Sequence, residues 1–172
     1  MGQDKIDLSG FMPPGWQGKY PPCQIQVDAE GQMSHDGAPL VHPTIIKLIY
    51  ESVHLEDGRY LLRMDNQVCE LEVADTFFVV ARVEFTRQGA RLSLNDGSAE
   101  DLDPASLRLG DNQVIYCAVK GGAFPARFGR AAYYQLAQQI VEDGEGFALA
   151  LGDNKWPLKE KSAEAGGPIK GS

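Results

Sequence analysis

The chain has 172 residues, 16 Lys plus Arg against 24 Asp plus Glu, a formal charge of −8 and 43 % hydrophobic residues. Such a length holds one domain or two small ones, and such a composition is globular rather than disordered. The acidic balance disfavours nucleic acid, which is bound through cations, and no apolar run reaches the roughly 18 residues that span a bilayer.

Residues 1–20 hold Phe11, Trp16 and Tyr20 among prolines and glycines. Prolines keep such a segment extended, and three aromatics are costly to leave in water, so an arm lying on the body is expected. The opening MGQDKIDLSG has acids and no apolar core, unlike a secretory signal. Ile6 stands where a myristoylation motif takes Ser or Thr. The expectation is a cytoplasmic protein with neither a nucleic-acid nor a membrane partner.

Residues 24–27 alternate polar and apolar, as a half-buried strand does, and a short second strand closes at Asp36 and Gly37. Pro43 opens a helix where its missing N–H is harmless. In TIIKLIYESV, Ile45, Ile49 and Ser52 fall on one face, with Ile46 and Val53 beside them. Asp57 and Gly58 turn the chain. Strands follow at 60–64 and 68–73, hinged at Asp65 and Asn66, then at 77–85, 90–94 and 113–120. The i+4 series Phe128, Ala132, Leu136 and Ile140 predicts a helix over 125–142, and 147–151 with 156–158 predict a closing hairpin. Residues 159–172, with Ile169 as their one sizeable apolar side chain, read as a disordered tail.

Sliding the chain on itself by 88 residues sets Leu48 on Leu136, Val53 on Val141, Gly58 on Gly146 and Leu61 on Leu149. It also sets Asp65 and Asn66 on Asp153 and Asn154. The expected fold class is therefore α+β: two related strand–helix–hairpin units, an internal repeat, around a mainly antiparallel sheet core. The units are expected at 21–75 and 76–158, sharing an interface.

Cys23, Cys69 and Cys117 are odd in number and lack CxxC spacing, which argues against a disulfide framework and against structural zinc. Cys69 and Cys117 lie in strand-like runs, where a thiol is usually a small buried hydrophobe. The acidic stretch 95–103 lacks the Gly and Glu positions of an EF-hand and reads as a solvated loop. No metal and no cofactor are expected.

The best candidate for binding is KGGAFPARFGR, residues 120–130. Gly121 and Gly122 leave backbone N–H groups accessible, a helix start points its positive end at them, and Arg127 and Arg130 add charge. It is not a P-loop, lacking GxxxxGK[ST]. Tyr134 on the same helix, with His35 and Asn95 as neutral partners, completes the expected set for a small anionic ligand at the junction of the halves. The bland alternative is a tight turn whose arginines pair with acids. His35 beside Asp36 reads as a hairpin turn, since strand neighbours face opposite ways.

PPCQIQVDAEGQMSHDGAPL, HPTIIKLIYESVHLEDGRYLL, ADTFFVVARVEF and LSLNDG, spread over residues 20–158, resemble the bacterial domain-of-unknown-function family 1285. The hairpin ending in His35, Asp36 and Gly37 with Pro39, the turn at Asp57 and Gly58 followed by Tyr60, and the Asn95 turn carry the likeness. Met33 and Ser34 stand where that family tends to place an aromatic before the histidine. The resemblance implies a two-part α+β protein with repeated motifs, a suggested signalling or regulatory role and no catalytic residues to carry over. The leading expectation is a non-enzymatic ligand-binding or regulatory module. The alternatives are a protein–protein adaptor anchored by the aromatic arm and a small hydrolase or transferase using His35 or Cys117. Oligomeric state is left open.

Overall fold

A computed structural model describes residues 20–160 of the chain, which divides between Phe77 and Phe78 into two compact units. The rest of the aromatic arm and the tail beyond residue 160 lie outside the described residues.

The first unit contains β1 (Pro22–Val27), β2 (Met33–His35), β3 (Ala38–Pro39), α1 (Pro43–Ser52), β4 (Val53–Glu56), β5 (Arg59–Met64) and β6 (Gln67–Val73). Its six strands form one sheet in the order β3-β2-β1-β6-β5-β4. All neighbours are antiparallel except β1 and β6, which run parallel although 46 residues separate Cys23 from Cys69. Asp57 and Gly58 both take positive φ, 53° and 78°, the backbone of a two-residue hairpin whose twist matches its strands. Pro43 stands at the start of α1, and Ile49 is its buried residue. Tyr50 and Tyr60 both pack on buried Phe77, with ring centroids 5.4 and 6.1 Å away. Burial pushes the Tyr60 hydroxyl up to about 12.

The second unit holds β7 (Phe78–Phe85), β8 (Ala90–Leu94), β9 (Ala99–Asp101), β10 (Arg108–Leu109), β11 (Ile115–Val119), β12 (Phe124–Phe128) and α2 (Arg130–Ala137). After these come β13 (Ile140–Asp143), β14 (Gly146–Leu151), β15 (Asn154–Pro157) and β16 (Lys159–Glu160). One sheet runs β16-β10-β11-β12-β7-β8-β9; the other is β13-β14-β15. Phe78, Leu92, Leu107, Leu136 and Leu149 are among its fully buried side chains. Among the described residues, no helix is long and apolar enough to cross a membrane.

Four expectations need correction. Cys23 and Cys69 are disulfide-bonded, their Cα atoms 5.0 Å apart, and buried Cys117 is left over. Sequence spacing reports nothing about adjacency created by a parallel strand pair. The helix expected over 125–142 is a strand, a helix and a strand. Phe128 and Ile140 lie on the flanking strands, and only Ala132 and Leu136 are buried helix positions, so inward-facing strand ends prolonged a helical period by coincidence. The acidic stretch 95–103 is not simply solvated, because it contains β9 and pairs Arg91 with Asp101. Lys159 and Glu160, expected in the tail, pair with β10 in parallel.

Candidate functional site

The sequence-predicted site residues fall into three places. His35 ends β2 in the first unit, half-buried, with a buried ring nitrogen, Nε2. Gly121 and Gly122 form the exposed turn between β11 and β12, and Asn95 begins the turn between β8 and β9. Arg127, Arg130 and Tyr134 belong to the end of β12 and the beginning of α2.

The glycine turn and the Asn95 turn lie side by side but are committed to the fold. The Lys120 ammonium donates to Asp96 Oδ2 at 2.7 Å and to Ser98 Oγ at 2.9 Å, and sits 5.1 Å from the centre of the Phe78 ring. The Lys120 backbone N–H donates to both Glu100 carboxylate oxygens at 3.1 Å. Burial alone would raise the Asp96 carboxyl, but hydrogen bonds from Lys120 and Ser98 hold it below its ordinary value. An anion entering here would meet two carboxylates whose hydrogen bonds already hold Lys120, so the turn is poorly suited to cradle one. Asn95 Oδ1 accepts the Val79 N–H at 2.9 Å, while the Asn95 N–H donates to the Val79 carbonyl at the same distance. Its carboxamide thus replaces a strand partner for β7.

At the other end of β12 the arrangement is open. Gly129, the residue before α2, donates its N–H to the Val80 carbonyl, and a Cβ there would meet Val79 Cγ1 at 3.2 Å and Val80 O at 3.3 Å. A side chain at Gly129 would thus be tight against β7, and Val79 and Val80 would have to give by a few tenths of an ångström to admit it. No side chain caps α2 and no acid stands in its first turn. Arg130 is its first residue and is exposed; Arg127 is half-buried on β12. Tyr134, one turn beyond Arg130 and on the same side of the helix, is 60 % exposed, with its ring edge against Tyr133. The first-turn N–H groups of α2, which no side chain caps, carry the positive end of the helix dipole. Gln135, on the half-buried side of α2, accepts the Val83 N–H at 2.7 Å and ties the helix to β7.

Cys117, the residual thiol, is unsuited to nucleophilic work. Burial, with the nearby charges of Glu100 and Asp103, pushes it up to about 12, so almost no thiolate exists at neutral pH.

The sequence reading missed a cleft of about 670 Å³ in the first unit, lined by residues of β1, β2, β3 and β6 and their connections. No local motif marks it.

No family model and no curated protein matches the chain. Two solved structures do. A DUF1285 family protein from Silicibacter pomeroyi DSS-3 aligns with TM-score 0.69 and 19 % identity, over 95 % of this chain and 92 % of that one. A DUF1285 family protein from Shewanella baltica OS155 aligns with TM-score 0.58 and 20 % identity, over 67 % of this chain and 91 % of that one. The chain has the fold of the DUF1285 family, the same family its sequence resembles.

Proposed function

We propose that this chain is a non-enzymatic ligand-binding module with a regulatory role, and that a small anionic ligand docks at the start of α2. One observation carries the reading: the helix begins without a side-chain cap or a first-turn acid, with Arg130 exposed at its first position. Arg127 supplies further charge, the first-turn N–H groups supply donors, and exposed Tyr134 supplies a face and a hydroxyl. Asn95, Gly121 and Gly122 are structural in this reading. His35 is kept as a separate test: His35→Ala abolishing turnover at unchanged stability would speak for an enzyme.

The proposal also takes the two units as copies of one strand–helix–hairpin motif. Shifting α1, β4, β5 and β6 by 87 or 88 residues brings them onto α2, β13, β14 and β15. In both, a helix runs into three successive antiparallel strands.

The test is thermal-shift screening of the full chain against anionic metabolites and nucleotides. A ligand at 100 times its dissociation constant stabilises by about 2.7 kcal/mol, or roughly 2–4 °C for a chain of this size. The shift should vanish in Arg130→Ala. A flat panel favours a protein partner instead, a reading supported by exposed Tyr134, Val141 and Phe147 on consecutive elements. Deleting residues 1–19 would then show whether the aromatic arm is the anchor.

A further inference from the structure

The cleft of the first unit has a chemistry of its own. Its floor is a row of three directly paired residues across the open face of the sheet: Ser34 on β2, Gln26 on β1 and Glu72 on β6. Ser34 Oγ donates to Gln26 Oε1 at 3.5 Å, and Gln26 Nε2 donates to Glu72 Oε1 at 3.3 Å. These bonds all run toward Glu72, so the row ends on a carboxylate. One wall is apolar, formed by Pro39, Leu40 and Val41, the last 79 % exposed. The cleft contains two carboxylates, Asp28 and Glu72, and no Lys, Arg or His among its described lining residues. Asp28 Oδ1 accepts the N–H groups of Glu30 and Gln32, which fixes that carboxylate in its own turn, whereas Glu72 lies at the end of the side-chain row that forms the floor.

A concavity of this size falls within the range that holds small molecules. Its floor is well fixed, because the Cys23–Cys69 bond joins the same two strands three residues before Gln26 and Glu72, and a preorganised surface loses less on binding. We propose that this cleft is a second binding site, for a small organic cation that sets an ammonium on Glu72 and an alkyl body against Leu40 and Val41. An anion is excluded by the same two carboxylates, so the site is distinct in its chemistry from the one at α2.

The test is a titration of the isotope-labelled full chain with n-butylammonium, followed by NMR, with 1-butanol and sodium chloride as controls. The expected result is saturable shifts confined to Gln26, Ser34, Leu40, Val41 and Glu72, and not reproduced by either control. Glu72→Gln, an exposed isosteric change, should weaken binding about ten- to a hundredfold; Val41→Ala, which trims the apolar wall without touching charge, should weaken it by a smaller factor. Shifts that never saturate, that scatter over the surface, or that persist with unchanged affinity in Glu72→Gln would overturn the proposal. Equal binding of 1-butanol would overturn the cationic assignment.

Discussion

Lys120 and Asp96, 24 residues apart in sequence, meet with Nζ 2.7 Å from Oδ2, and the carboxylate is the more buried partner. The pair joins the β8–β9 turn to the β11–β12 turn. Lys120→Met should therefore destabilise the chain by about 1–3 kcal/mol, because a partly buried carboxylate loses a charged donor. The Asp96 carboxyl lies below its ordinary value in the folded state. Its contribution is thus present above the unfolded carboxylate value of about 3.9 and is lost as pH falls through the lower folded one. Thermal melts on acidification should show the wild type losing its advantage over Lys120→Met in that acidic window.

Asn95 and Gln135 each supply a side-chain oxygen to a backbone N–H of β7, at Val79 and Val83. Replacing either with Ala leaves a part-buried donor without that acceptor, at about 1–3 kcal/mol. Urea denaturation of Asn95→Ala and Gln135→Ala should show this loss. Anion binding at α2 should survive Asn95→Ala in a folded protein.

The bond between Cys23 and Cys69 closes a long loop across the first unit. Removing it with Cys23→Ser and Cys69→Ser together should lower stability by about 2–4 kcal/mol. Such bonds persist in oxidising surroundings, so this one weighs against the cytoplasmic location expected from the sequence. Alkylation before lysis, followed by mass spectrometry, measures the pair's state in cells: a bonded pair sets the cytoplasmic expectation aside, and two alkylated thiols restore it.

Cys117 should resist alkylation in the folded protein at neutral pH and react only on unfolding, since its thiol lies near 12. Fast labelling under native conditions would reopen the nucleophile reading.

Most strands were legible from alternation and turn chemistry, because Asp36 with Gly37 and Asp57 with Gly58 report local backbone requirements. The 88-residue shift set the turn at Asp65 and Asn66 on that at Asp153 and Asn154 because turn chemistry is local; the length of the second helix, expected over 125–142 and found at Arg130–Ala137, was not legible in the same way. What failed depends on pairing distant in sequence. Cys23 meets Cys69, and Gln26 meets Glu72, only because β1 and β6 lie side by side in parallel. The start of α2 was misplaced because Phe128, buried at the end of strand β12, stands four residues before Ala132 and eight before Leu136, the buried positions of the helix. That displacement separated Gly121 and Gly122 from the helix start by the whole of β12, and put Arg127 on β12 and Arg130 with Tyr134 on α2.

NMR titration of the full chain with the best anion from the thermal screen asks whether an anion sits on the first turn of α2. The prediction is saturable shifts of the Arg130, Ala131 and Ala132 amides with Tyr134 ring signals moving in step, and loss of all of them in Arg130→Ala. Saturable shifts elsewhere that leave these amides unmoved, or binding unchanged in Arg130→Ala, would rule out an anion at the start of α2.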